Sequence, residues 1–430
     1  MTQKQPASSK SARVNRPERY QVEMHFMALD QMLSDDHRAR LVWQYVESLD
    51  LEPLYAGFKS VQGTAGRNGI APEILLALWL MATIDSISSA RELNRRCERD
   101  IAYMWICGNV SVNYHTLSEF RSGNAEFFEK MLTDSVTGMV EAGLVTLDSI
   151  GQDGMRVRAN AGASSFRRQP RLEEHHQAAQ RRVEQLHRND VDDSDSSNQD
   201  ARRRAARKRA AAERTQRIAE AIKQVRELRE RKEKRQKGDG EKARCSTTDP
   251  DARRMKMGDG GTRPAYNFQF ATDGDSRVIV AVDVTNSGSD RGQMAPMHEK
   301  VVATYGRTPN EFLVDSAFAT KDDVTTVERA GTQVVSTVHG AEAMARRGND
   351  PYARTRGDSD EYAVFRARMG EEKWRERYKQ RPGIAEFPNA ECRNRGCRLL
   401  LVRGLKRVRS VALLYASTIN VMRMMNLGAI

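Results

Sequence analysis

Three acidic residues carry the chemistry this chain could do. Asp153 follows a short apolar run in Q-D-G-M-R-V-R-A-N-A, Asp315 ends the apolar run Phe312-Leu313-Val314, and Glu386 opens the basic, helix-like segment A-E-F-P-N-A-E-C-R-N-R-G. Two acids at strand ends with a third on a later helix form the donor set of a divalent-metal phosphoryl-transfer centre. Carboxylates are hard oxygen ligands, and Mg²⁺ (or Mn²⁺) takes one or two per ion, leaving the other positions to water and phosphate oxygens. Two such ions roughly 3.5–4 Å apart can hold both the attacking and the leaving oxygen of an in-line displacement.

A single aspartate after a strand is more often a turn or cap residue, and Asp148, Asp259, Asp283, Asp290, Asp322 and Asp323 show how common that pattern is here. Only the joint arrangement lifts Asp153 and Asp315 above it. Glu391 is a rival third acid, but five residues after Glu386 it faces another side of a helix. His115 and His298 have no nucleophile motif beside them and read as structural. The phosphate-cradling G-x4-G-K-[ST] pattern is absent, so nothing supports an ATP-driven mechanism.

The elements that must position these acids differ in texture along the chain. Residues 1–20 read as a disordered basic tail. Residues 21–140 read as an all-α domain, with apolar residues at helical spacing from Leu29 to Leu49, Pro72 in the first turn of a second helix, and Ser88 or Ser89 capping a third. That third helix carries Arg91 and Arg95 and suits a DNA-reading module; a helical bundle with solvated arginines is the alternative. A strand over 144–150 leads toward Asp153, and 155–159 continues or turns it. Residues 164–245 hold no strand-like run and read as two charged helices joined by an acidic loop at 190–200. Strands resume at 265–271 and 278–284 around T-D-G-D-S-R, a hairpin turn by composition. A helix over 293–305, a strand over 311–315, a helix over 321–330 and a strand over 333–338 follow. Residues 348–357 form a loop, 361–379 a helix, Pro382-Gly383 a break, and 385 to about 425 a last helix.

Charge narrows the partners. The chain has 430 residues, a net charge of +12 and a pI near 9.5. Residues 201–244 hold 18 Lys/Arg against 7 Asp/Glu, and residues 375–423 hold 12 against 3, so the remainder is net negative. Such regional basicity fits a surface gripping a polyanionic backbone. The most apolar stretch, Ile74–Ile84, is too short to span a bilayer, and the polar N-terminus lacks a signal-peptide core, so no membrane partner is expected. Five scattered cysteines suit a reducing cytoplasm, and the C-x4-C spacing of Cys392 and Cys397 has no second pair to make a zinc site.

Long ordered segments carry a resemblance. D-G-M-R-V-R-A-N-A-G-A-S-S-F-R, S-T-T-D-P-D-A-R-R-M-K-M-G-D-G-G-T-R-P-A-Y-N-F-Q-F-A-T-D, F-L-V-D-S-A-F, and A-E-F-P-N-A-E-C-R-N-R-G with L-V-R-G-L-K-R-V-R-S-V-A-L-L-Y-A-S-T-I-N-V-M-R resemble successive blocks of the DDE transposases of bacterial insertion sequences. The N-terminal G-R-N-G-I-A-P-E-I-L-L-A-L-W-L and Y-H-T-L-S-E-F-R are similar to that family's helical DNA-binding domain. The resemblance runs from about residue 24 to 425. It implies a mixed α+β and α/β fold: a helical DNA-binding domain at 21–140, then a ribonuclease-H-like catalytic domain at 141–430 interrupted by the hairpin at 164–245. It implies Asp153, Asp315 and Glu386 as the catalytic, metal-holding triad. The related signature Y-x2-R-x3-E-x6-K is kept at Tyr378 and Arg381; Glu386 comes one residue late, and Arg393 stands where lysine is usual. Tyr378, Arg381 and Arg393 are then expected to touch DNA-end phosphates, since arginine's planar fork matches a phosphate oxygen pair. The partners implied are terminal inverted repeats and target DNA, bound by a homodimer in the bacterial cytoplasm and nucleoid. Two alternatives stay open: a catalytically inactive DNA-binding relative, and a ribonuclease-H-like nuclease that does not join strands.

Overall fold

A computed structural model describes residues 20, 22, 26–58, 68–188 and 198–429 of the chain. The basic tail and most of the acidic loop (189–197) lie outside the described residues. Seven helices come first: α1 (Arg38–Glu47), α2 (Glu52–Tyr55), α3 (Pro72–Ile84), α4 (Ala90–Arg99), α5 (Ile101–Cys107), α6 (Tyr114–Gly123) and α7 (Ala125–Glu141). Local chemistry sets their ends. Pro72 starts α3, where a missing N–H costs nothing. Ser89 accepts from the Glu92 amide at 3.4 Å to cap α4, and Asn113 accepts from the amides of His115 and Thr116 to cap α6. α6 and α7 are parted at Asn124.

The sheet is built from β1 (Ser149–Arg158), β4 (Arg253–Lys256), β5 (Thr262–Asp273), β6 (Ile279–Thr285), β7 (Glu311–Leu313) and β8 (Gln333–Val335). Across it the order is β6, β5, β1, β7, β8, with β4 sharing one edge of β5 with β6. β5 is antiparallel to β1, β4 and β6, whereas β1, β7 and β8 run parallel. The fold is thus mixed α/β with a mixed sheet. The parallel strands need crossovers, supplied by α10 (Met294–Tyr305) and α11 (Lys321–Arg329). The hairpin around T-D-G-D-S-R forms as expected, with Asp273 accepting from the Ser276 amide at 2.9 Å in its turn.

Several sequence expectations need correcting. Residues 144–148 are not strand: Leu147 has φ +61° and donates its amide to Asp273, so the chain turns there and β1 starts at Ser149. Asp153 therefore sits in mid-strand, not at a strand end. The hairpin region carries a short ladder between β2 (Phe166–Arg167) and β3 (Cys245–Ser246), which closes the base of α8 (Gln169–Arg188) and α9 (Asn198–Arg235). A turn of helix, α12 (Ala341–Arg346), precedes the loop at 348–357. The helix over 361–379 is α13 (Asp360–Gly370) and α14 (Glu372–Tyr378). Pro382 starts rather than breaks structure: it occupies the first turn of α15 (Arg381–Ala385). The last segment divides into α16 (Phe387–Asn394) and α17 (Leu405–Leu427).

Helix α17 joins the halves. It packs against α3, α6 and α7 on one side and β6 on another. One continuous core runs from Val42 and Trp79 through Phe128 and Leu414 to Phe268 and Phe312. The hairpin has a small core of its own, made by Leu172, Ala221, Val225, Ala243 and Cys245.

Candidate active site

Strand register brings two of the three acids together. β1 and β7 pair in parallel as Ser149 with Glu311, Ile150 with Phe312 and Gly151 with Leu313. Two residues beyond the last pair lie Asp153, still within β1, and Asp315, just past the end of β7. Alternation places both on the sheet face that carries Gly151 and Leu313. Helix α15 covers that face at close range. A Cβ on Gly151 would stand 2.6 Å from Ile384 Cγ2 and 3.1 Å from the Ala385 nitrogen, so only glycine lets the helix sit there. The chain turns directly after Asp315, whose carbonyl accepts from the Phe318 amide at 3.0 Å, while Ser316 Oγ donates to Asp315 Oδ1 at 3.1 Å.

Glu386 is at the junction of α15 and α16 and is half exposed. Arg381 links it to Asp153. The arginine is buried, with Nη2 3.2 Å from Asp153 Oδ1 and Nη1 3.1 Å from Glu386 Oε1. Asn389, one turn into α16 and also buried, donates from Nδ2 to Asp153 Oδ2 at 2.9 Å. Burial is the largest influence on Asp153. It outweighs the attraction of Arg381, and with the nearby charges of Glu386 and Asp290 it pushes the carboxyl up to about 6.

The opposite face of β1 is polar for another reason. Gln152, Asn267 and Gln269 are buried there, and Asp290 accepts from Asn267 Nδ2 at 2.7 Å, Gln269 Nε2 at 3.0 Å and Arg156 Nη2 at 3.2 Å. Asp290 thus anchors the loop before α10. Thr320 caps α11 by accepting from the Asp323 amide, and the Asp323 carboxylate accepts from the amides of Gly292 and Ala295. Glu391, the rival third acid, binds Arg395 at 2.9 Å. His298 is buried in the core against Phe312 and hydrogen-bonds Thr332; burial lowers its pKa.

The expected DNA contacts scatter. Tyr378 lines a cleft of about 700 Å³ beside Asp315, together with Ser316, His339, Tyr352, Arg375 and Lys379. Arg393 is exposed on α16. Arg91 and Arg95 are exposed on α4, the first over the Tyr114 ring at 4.9 Å and the second 3.1 Å from Glu92. The connection from α3 to α4 touches the end of α16: Ser86 Oγ donates to the Asn394 carbonyl and Arg395 to the Ile84 carbonyl. The helical module is therefore docked just beyond the third acid. Sequence reasoning missed Asn389. Its signal was the three-residue spacing from Glu386, which sets both on one helical face.

Among the described residues, no three His, Cys, Asp or Glu side chains converge as a ready-made metal site. The donors around Asp153 nevertheless suit a hard cation. Asp153 and Asp315 each lie two residues beyond the last paired positions of β1 and β7, and Asn389 Oδ1 is buried with no hydrogen-bond partner. A cationic group, the Arg381 guanidinium, already stands between Asp153 and Glu386.

Residues 27–123 match a transposase domain (DUF772), and residues 238–422 match a transposase DDE domain. No curated protein and no solved structure matches the chain. No helix among the described residues is long and apolar enough to cross a membrane. Domains of the DDE class act on DNA and generally use divalent metals. Carrying both matched domains in order, the chain belongs to the DDE transposases of insertion-sequence type.

Proposed function

We propose that this chain binds terminal inverted repeats, cuts phosphodiester bonds at their ends and joins the freed strands to target DNA. The observation carrying this reading is the parallel register of β1 with β7, from which Asp153 and Asp315 each follow two residues on, with Glu386 linked to Asp153 through Arg381. The strand order, three antiparallel strands followed by two parallel ones, supports a ribonuclease-H-like catalytic domain at 141–430. The helices of 21–140 are then the end-reading domain, with Arg91 and Arg95 exposed on α4 toward a duplex.

In this reading Asp153, Asp315 and Glu386 hold Mg²⁺ or Mn²⁺. Such ions, when bound, supply the Lewis acidity that neutralises charge on the transferring phosphoryl group. Water attacks phosphorus at the element's end and expels a 3′ oxygen, leaving a 3′ hydroxyl and a 5′ phosphate. That hydroxyl then attacks a target phosphodiester, forming the new P–O bond and expelling a target 3′ oxygen. Asp153 serves as a ligand only when ionised, so metal binding competes with its proton and should weaken as pH falls. Arg381, paired with Asp153 and Glu386, would meet a phosphate by exchanging a carboxylate oxygen for a phosphate oxygen, while Tyr378 in the cleft and Arg393 on the surface of α16 would meet DNA separately. Two ends must be processed together, so a homodimer on DNA is the expected working form.

The test uses purified protein, Mg²⁺ and labelled duplex carrying the repeats that flank the gene. Wild type should nick and join specifically. Asp315→Asn should lose at least about 10³-fold in cleavage, on the scale of removing one preorganised electrostatic group, while still binding the ends. Equal metal-dependent cleavage by Asp315→Asn would sink the assignment. Specific binding without cleavage by wild type would favour an inactive relative.

A further inference from the structure

We infer that Asn389 is a positioning residue of the catalytic centre, holding Asp153 through its amide nitrogen and offering its amide oxygen to the bound cation or to that cation's water. This rests on the reading of Asp153 as a metal ligand. An ionised carboxylate only accepts hydrogen bonds, so the side of the Asn389 amide facing Asp153 must be nitrogen. The 2.9 Å contact to Asp153 Oδ2 is that bond. The amide oxygen is then left over: Oδ1 makes no bond to Asp153, and it is buried without any partner.

An unpaired buried acceptor is costly, and such atoms call for a missing donor, water or ion. Two orphan atoms belong to side chains bonded to Asp153: Asn389 Oδ1 and Arg381 Nε. The orphan oxygens of Gln152 and Asn267 lie with Asp290 on the other face of β1 and serve a different cluster. Asn389 also stands one helical turn from Glu386, so α16 presents an acid and a neutral oxygen donor on one face toward the strand carrying Asp153. Amide oxygens join carboxylates readily around Mg²⁺ and Mn²⁺. Groups that orient a metal-binding carboxylate are worth 10–100-fold in affinity.

The experiment measures Mn²⁺ binding to the metal-free full-length chain by calorimetry and by the Mn²⁺ paramagnetic resonance signal, with no DNA and no turnover. Asn389→Ala should bind Mn²⁺ about tenfold more weakly, with end binding unchanged. Asn389→Asp is near-isosteric, so its folding is not at issue. It removes the donor to Asp153 and places a charged oxygen at the same spot, so its affinity should move by at least about threefold, in either direction. If Asn389→Ala does not fold, Asn389→Asp decides alone. Wild-type affinity in every folded variant would overturn the inference. Asp153→Asn is the control for the underlying reading: if it binds Mn²⁺ as wild type does, or wild type binds none, the acid centre itself is misassigned and the role of Asn389 falls with it.

Discussion

Arginine and carboxylate meet in both the sheet region and the helical hairpin, with opposite consequences. Around the sheet several of the pairs are sealed. Arg368 with Glu328 and Arg366 with Asp358 leave no more than 9% of any of the four side chains exposed, and Arg381 is 7% exposed beside Asp153. In the hairpin, Arg226 with Glu173 and Arg229 with Glu241 are 43–70% exposed. The hairpin also buries few apolar side chains, whereas the sheet sits within the main core. Exposed pairs contribute little because water screens them and long side chains lose freedom. Buried pairs are costly to assemble, but each partner fixes where the other stands. The sheet region thus uses ion pairs to place groups, and the hairpin uses them to stay soluble.

The sharpest way to break that comparison is to remove one cation from each region. Arg368→Gln strands Glu328 and releases the Val334 carbonyl on β8, two strands from Asp153. It should cost about 3–5 kcal/mol, the usual result of orphaning a buried charge. Arg229→Gln should stay within about 0.5 kcal/mol of wild type. Denaturant unfolding of both variants checks this, and equal losses would remove the distinction.

The amino-acid sequence shows this difference only in part. Apolar runs made β5, β6 and the approach to Asp315 legible, because a buried strand must be apolar and a turn must be polar. Asp153 was legible by context but not by position: two glycines and alternating polar residues disguise a central strand whose faces are both covered. Basic residues at 375–423 and 201–244 look alike in composition. Only tertiary packing decides that Arg381 is buried while the α9 arginines mostly face water. The starts of α15 and α16 were hidden for a related reason: Pro382 and Pro388 are breakers or starters depending on which turn they occupy.

The next effect concerns the acid that the sealed region holds under strain of burial. Its folded pKa of about 6 lies above the unfolded value near 3.9. The ionised form is therefore the penalised one. Protonation stabilises the fold fully below about pH 4, and that contribution is lost as pH rises through about 6. Asp153→Asn keeps the shape and removes the charge. In metal-free buffer it should gain up to about 3 kcal/mol at pH 8 and nothing at pH 4. Lower stability of the variant at pH 8 would mean that the pull of Arg381 outweighs burial, reversing the balance read from the geometry. Asp358 runs the other way: burial pushes it up, but Lys321 and two bonds from Thr355 hold it at about 2, so its contribution is present above about pH 4 and lost as pH falls toward 2.

The smallest effect sharpens the comparison from the hairpin side. Val225 is buried against Leu172 in a cluster separate from the main core. Val225→Ala removes two methyl-sized groups, about 1.6 kcal/mol of burial. Where that loss is felt is the informative part. A helix pair with so thin an apolar contact can open by itself, since segments with few buried contacts unfold locally before the whole. Amide exchange should therefore quicken in α8 and α9 while the amides of β1, β5 and β7 keep wild-type protection. Faster exchange spreading into β1 would mean that the ladder of β2 with β3 couples the hairpin to the strand holding Asp153. The hairpin would then belong to the scaffold of the site and not to its periphery.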